Sequence, residues 1–235
     1  MSTRTFANYI NGEWIEGAKT FENRNPATGE LVALHSKGTA ADIATAADAA
    51  AAALAGWSTM PAPSRGAILF KAAEILDKEF DQLGEEMTRE EGKTLPEAKG
   101  EVRRAINIIR YFAAEGVRLN GILTPSERDR VHTLAFRKPI GVVGMITPWN
   151  FPSAIPAWKM APALICGNTV VVKPASAAPL SAWRIVEALH NAGIPKGVVN
   201  LVQGSGGELG NALVNAAPLK AISFTGSGEV GHALH

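Results

Sequence analysis

The chain has 235 residues, 46% of them hydrophobic, enough for one large domain or two small ones. Twenty-three Lys and Arg against twenty-two Asp and Glu leave a formal charge of +1, which excludes the basic footprint of a nucleic-acid or anionic-membrane binder. No apolar run approaches the roughly 20 residues that span a bilayer, and Met1-Ser2-Thr3-Arg4-Thr5 is not followed by the apolar stretch of a secretion signal. The single cysteine, Cys166, excludes an internal disulfide framework and fits a reducing cytoplasm. The five histidines show no metal-ligand spacing with Cys or carboxylates.

Tyr9 to Ile15 alternate around Asn11-Gly12, which predicts a hairpin with a type I′ turn. Asn25-Pro26-Ala27-Thr28-Gly29 predicts a turn, and Leu31 to Leu34 a short strand. Thr39, with Asp42 three residues on, is expected to cap an Ala-rich helix to about Ala55. Pro63-Ser64 opens a second helix to about Glu91, and Thr94 a third to about Leu119, before Asn120-Gly121. The arginines of that third helix, Arg103, Arg104 and Arg110, are expected on a solvated face.

After Pro125 the pattern alternates. Arg130 to Lys138 predicts a strand, and Gly141 to Ile146 a strand buried on both faces. Then come a helix over 153–164, a strand over 169–172, a helix over 180–191, a strand over 198–202, a helix over 207–215 and a strand over 221–224. A last helix starts at Glu229 and runs to His235. Repeated strand-then-helix units of this length indicate an α/β fold with a parallel, Rossmann-like sheet, preceded by an N-terminal hairpin and long helices.

Several motifs each carry two readings. Gly226-Ser227-Gly228-Glu229-Val230-Gly231 has the G-x-G-x-x-G spacing between a strand and a helix, which suits either close backbone approach to a pyrophosphate or a plain tight turn. Lys173 ends a strand at its carboxyl edge, where open parallel sheets bind ligands, although a lone lysine there also fits a surface charge. Asn150, in a Pro-bracketed loop, fits a hydrogen-bond donor to a developing oxyanion or a cap on the next helix. Phe151, Ala154, Ile155 and Trp158 recur at helical spacing and read as core on periodicity alone. Gly92-Lys93-Thr94 imitates the end of a phosphate loop, but the required first glycine falls at Met87. Cys166 lies in an apolar segment without a neighbouring His or basic residue and is expected to be an inert core thiol.

The run Thr147-Pro148-Trp149-Asn150-Phe151-Pro152, followed by Lys159-Met160-Ala161-Pro162-Ala163-Leu164 and by Gly167-Asn168-Thr169 through Lys173-Pro174, resembles the signature core of the NAD(P)-dependent aldehyde dehydrogenases. The resemblance extends from Ile10-Asn11-Gly12-Glu13-Trp14 to Gly231. Glu91 to Glu101 and Ala157 to Leu164 look most like the branch acting on α-ketoglutaric (2,5-dioxovalerate) semialdehyde. It implies that Asn150 helps hold an oxyanion, and that Ile146, Thr147, Pro148, Trp149, Lys173, Ser176, Gly206, Gly207, Phe224, Gly226, Ser227 and Val230 bind NAD or NADP. Lys173 would reach the cofactor ribose and Ser227 a phosphate. Ser176 stands where an acidic residue would repel a 2′-phosphate, so both cofactors should be accepted. Gly228 stands where the family usually has a polar residue.

By the same resemblance, Phe151, Ile155, Trp158 and Lys159 belong to a substrate tunnel. The implied substrate is a small aldehyde, with no metal, and the complete enzyme is expected to be a homo-oligomer. The nucleophilic cysteine and the glutamate base would follow His235. The expectation is therefore the N-terminal part of a nucleotide-binding domain, with residues 121–138 an oligomerisation-type strand excursion and the catalytic domain absent. The alternative is a non-catalytic nucleotide-binding or assembly module.

Overall fold

The computed structural model describes residues 4–234 and begins with five short strands, β1 (Thr5–Phe6), β2 (Asn8–Ile10), β3 (Glu13–Ile15), β4 (Thr20–Arg24) and β5 (Leu31–Ser36). β2 and β3 form the expected hairpin, with Asn11 and Gly12 at φ 53° and 84°. Both values are positive, as a type I′ turn requires. β1, β5 and β4 make a separate three-stranded sheet. β4, with the sequence Thr-Phe-Glu-Asn-Arg, buries only Asn23 and shows no apolar alternation to betray it.

Four helices follow, α1 (Ala40–Thr59), α2 (Ala62–Lys78), α3 (Phe80–Glu91) and α4 (Leu95–Glu115). The cap on α1 is a reciprocal capping box, with the Thr39 amide donating to the Asp42 carboxylate at 2.7 Å and the Asp42 amide to Thr39 Oγ1 at 3.3 Å. The Ala tract lets this helix lie close to the sheet, since Ala46, Ala47 and Ala50 are fully buried and Ala50 O accepts from Thr169 Oγ1 at 2.9 Å. The single helix expected from 64 to 91 is two helices, broken at Glu79 (φ −98°, ψ 12°). No Gly or Pro marks the break. α2 packs along α4 and the later helix over Leu180–Ala192, whereas α3 leans on α4 through Leu83 and Met87, so tertiary packing sets the bend. Arg103 and Arg110 are not simply solvated, because both donate to Asp77 near the end of α2 and tie α2 to α4.

β6 (Ile122–Pro125) and β7 (His132–Ala135) form an antiparallel hairpin in which every residue is exposed. The strand is shorter than the expected 130–138, since Arg130 turns the chain at φ 60°. The remainder alternates: β8 (Val142–Ile146), α5 (Ala154–Ile165), β9 (Thr169–Lys173), α6 (Leu180–Ala192), β10 (Val199–Leu201), α7 (Gly206–Val214), β11 (Leu219–Phe224) and α8 (Gly228–Leu234). His235, the expected end of the last helix, lies outside the described residues.

The main sheet has the order β11-β8-β9-β10-β2-β3. β8, β9, β10 and β11 are parallel, and β2 joins antiparallel to β10. The N-terminal hairpin thus extends the parallel sheet rather than only preceding it. Every residue of β8, β9 and β10 is buried, as strands covered by helices on both faces require. From β8 the chain steps outward to β9 and β10 and then crosses back to β11 on the other side of β8. The carboxyl ends of β8 and its neighbours therefore border a reversal of strand order, where open α/β sheets leave a crevice.

Candidate active site

A groove of about 820 Å³ opens at that end of the sheet. Ile146, Thr147, Pro148, Trp149 and Asn150 enter it from the end of β8, and Lys173 and Ser176 from the end of β9. Gly206 and Gly207 line it from the start of α7, and Phe224, Gly226, Ser227 and Val230 from the turn after β11. Every position that the resemblance implied for the cofactor lines this one groove. Thr147 N donates to Lys173 O at 3.3 Å and Thr225 N to Ile146 O at 3.1 Å, so the three strand ends are stitched together where the loops begin. Sequence reasoning missed Ala175, Ala177, Gly210, Asn211 and Thr225, which line the same groove. Gly210 and Asn211 lie four residues after Gly206 and Gly207 on α7, a spacing that shares a helix face and was available as a signal.

Lys173 is the chemically distinctive member. It is 4% exposed, and burial alone pushes its ammonium pKa down, since among the described residues no neighbouring carboxylate counters it. A Cβ on Gly206 would sit 3.7 Å from its Nζ, so the ammonium rests against the first residue of α7. An uncompensated buried cation is costly. At the wall of a groove it suits a ligand that brings hydroxyl or phosphate oxygens. Ser176 is exposed and uncharged, and it also borders a second groove of about 360 Å³ with Arg24, Glu90, Glu91 and Trp149.

In the turn after β11, a Cβ on Gly226 would lie 2.5 Å from the Phe224 ring, so a larger residue there would push that ring aside. Ser227 Oγ accepts from Val230 N at 3.3 Å and caps the first turn of α8. Gly228 opens α8 with free space around it.

Asn150 is exposed in the loop after β8, and no described residue bonds to its carboxamide. Its alternative role as a helix cap is corrected by the structure. The first turn of α5 is capped from elsewhere, by Glu101, whose Oε1 accepts from Ser153 N at 2.9 Å and Ala154 N at 3.0 Å. The carboxamide is thus left facing the groove with donors to offer.

The residues assigned to a tunnel lie outside the groove and divide. Ile155 is 4% exposed and packs as core, whereas Phe151 and Trp158 stay open to solvent at 45% and 38%. Lys159 is buried, its Nζ donates to Ser223 Oγ on β11 at 2.7 Å, and desolvation lowers its pKa. Cys166 is not a core thiol. It is exposed at the C-cap of α5, where the helix ends and turns its side chain outward. Burial of part of the thiol raises its pKa more than the charges of Arg65 and Arg137 lower it, so it remains a weak nucleophile.

The Aldehyde dehydrogenase family profile matches residues 14–235. An alpha-ketoglutaric semialdehyde dehydrogenase of Bacillus subtilis is 44% identical over 230 residues, covering 97% of this chain and 47% of that protein. An alpha-ketoglutarate semialdehyde dehydrogenase of Haloferax volcanii is 45% identical over 231 residues, covering 97% and 48%. Among solved structures, an NADP dependent enzyme of E. coli superposes with a TM-score of 0.95 at 40% identity, over 98% of this chain and 48% of that one. The chain thus spans about half the length of the curated relatives it matches. The strand-end groove, the loop that carries Asn150 and a profile match over nearly the whole sequence agree: the chain belongs to the aldehyde dehydrogenase family.

Proposed function

We propose that these 235 residues are the N-terminal, cofactor-binding part of an NAD(P)-dependent dehydrogenase that oxidises a semialdehyde of the α-ketoglutaric type to its carboxylate. The observation that carries this reading is Lys173, a buried cation with no counter-ion among the described residues, at the wall of a groove on the strand-order reversal. Relatives at 44% and 45% identity bear α-ketoglutaric semialdehyde names, which supports the substrate class.

The groove fits a dinucleotide. Gly206 and Gly207 keep one wall free of side chains, Lys173 offers donors to ribose hydroxyls, and Trp149 offers a flat apolar face. NAD(P), when bound, supplies the hydride acceptor. Asn150 directs its carboxamide N–H toward the aldehyde oxygen and stabilises the negative charge that develops there. Ser176 brings no charge against a 2′-phosphate, so NADP is accepted with NAD. The groove residues include neither a thiol nor a carboxylate, and Cys166 sits away from them at the end of α5. The 235-residue chain therefore binds cofactor without turning aldehyde over.

The exposed hairpin of β6 and β7 pairs Leu123 with Leu134 on one face, with Phe136 just beyond and Ile122 on the other face. Exposed apolar side chains of this kind serve association between copies, so residues 121–138 are the oligomerisation element of the complete homo-oligomeric enzyme. Among the described residues no helix is long and apolar enough to cross a membrane. With a single cysteine in the sequence, the cytoplasm is the compartment that fits.

Titration of the chain with NADPH, read by energy transfer from tryptophan, tests the reading, since Trp149 lines the groove. Saturable quenching is expected, with no NADPH formed from NADP and an aldehyde, and no change in Cys166→Ser. Absence of saturable binding of either cofactor refutes the proposal.

A further inference from the structure

We infer that the ion pair between partly buried Lys93 and buried Glu101 positions the loop that presents Asn150, and that this is the use of the Gly92-Lys93-Thr94 motif left over from the sequence. The inference rests on the reading of Asn150 as the oxyanion donor. Glu101 projects from α4 and its side chain is 2% exposed. One carboxylate oxygen accepts from the amides of Ser153 and Ala154, while the other bonds Lys93 Nζ. Lys93 Nζ in turn donates to the backbone carbonyl of Asn150 at 3.2 Å and lies 4.7 Å from the centroid of the Phe151 ring. Glu91 completes the ammonium's surroundings at 3.1 Å.

The loop from Asn150 to Ala154 is thus held at both ends by one ion pair, with Phe151 and Pro152 between. Fixing the Asn150 carbonyl fixes the peptide plane from which its side chain leaves, and a donor must be held within a fraction of an ångström to favour a transition state. Gly92 makes the approach possible. It ends α3 at φ 90°, and a Cβ there would meet Pro26 at 2.6 Å. A buried charge pair is a poor source of stability compared with apolar packing, so its geometry is the gain. Lys93 and Glu101 are positioning residues, since neither lines the groove.

Hydrogen exchange by mass spectrometry on the 235-residue chain, over peptides spanning residues 147–158, tests this. Lys93→Met keeps the length of the side chain and removes the ammonium. It is expected to speed exchange in this segment by about tenfold or more, as loss of hydrogen bonds to a charged group does, while Thr169–Lys173 of β9 stays protected. Glu101→Gln retains an oxygen for the two amides and loses only the charge that holds Lys93, so it gives the same test with the shape preserved. The rescue uses Lys93→Cys in a Cys166→Ser background, aminoethylated to restore an ammonium at the reach of lysine, and protection should return. Unchanged exchange in 147–158, an equal rise in β9, or failure of the rescue overturns the inference. Exchange is read without cofactor, so a lost clamp effect with intact NADPH binding refutes only this inference. Lost NADPH binding with an intact clamp refutes only the functional reading.

Discussion

Lys173→Met should make the protein more stable and worse at binding its cofactor. The lysine is 4% exposed at the end of a wholly buried strand, and burial alone lowers its pKa. Replacing buried ionic groups by apolar side chains of similar volume stabilises by roughly 1–4 kcal/mol where it has been measured. Because the ammonium borders an open groove, the lower end applies, about 1 kcal/mol or a rise of about 2–4 °C in Tm for a chain of this size. The sign with pH follows from linkage. A depressed folded-state pKa means a contribution that favours folding above the unfolded value and is lost as pH falls through the folded one. The wild type is thus penalised at neutral pH, and the advantage of Met should shrink as pH approaches the ordinary lysine value of 10.5. Binding moves the other way. A hydrogen bond from a charged donor is worth about 1.5–3 kcal/mol, so the Kd for NADPH should rise roughly tenfold to a hundredfold. Melting at pH 7 and near pH 10, with the tryptophan titration, reads both. A lower Tm with unchanged NADPH affinity would show that Lys173 serves the fold and not the ligand.

Ser176→Glu should place a negative charge beside the 2′-phosphate of NADPH. Two unit charges about 4 Å apart at an effective dielectric near 20 repel by roughly 4 kcal/mol before screening, so even a heavily screened remnant should change the ratio of NADPH to NADH dissociation constants by about tenfold. An unchanged ratio would remove Ser176 from the ribose. Glu90 is buried, and burial pushes its pKa up to about 8 although it accepts from Leu180 N, Ser181 N and Ser181 Oγ. A raised folded-state pKa gives stability that is present below the unfolded value of 4.5 and lost as pH rises through about 8. The wild type should therefore lose stability relative to Glu90→Gln across that window, by up to about 1.4 kcal/mol per pH unit. Denaturant midpoints at stepped pH check it, and a relative gain on raising pH would mean that the three donors outweigh burial.

The parallel sheet was legible because β8, β9 and β10 are apolar on both faces, a pattern that survives without knowledge of neighbours. The groove was legible for a related reason, since its residues directly follow those strands and topology brings strand ends together. What could not be read depends on partners distant in sequence. The pairing of Tyr9 with Leu201 sets where the hairpin docks, yet nothing around Tyr9 names Leu201. The bend at Glu79 carries no Gly or Pro because packing against α4 and α6 imposes it. Cys166 follows an apolar run, and only the point where α5 stops turns it outward.

The same dependence explains why α3 and α4, which contribute no residue to the groove, bear on its chemistry. Glu90, at the end of α3, caps α6 through Leu180 and Ser181, and α6 follows the β9 loop with Lys173 and Ser176. Glu101, early in α4, caps α5 through Ser153 and Ala154, and α5 follows the β8 loop with Trp149 and Asn150. The orphan amides of both helices are thus satisfied from one segment outside the sheet, where a local Ser, Thr or Asp cap would ordinarily serve. A local cap fixes only its own helix. A shared one fixes the two groove loops relative to each other, because Gly92 and Lys93 lie between the two carboxylates and move with them. Misplacement at Gly92 should therefore disturb the two groove residues Asn150 and Lys173 together, though it touches neither.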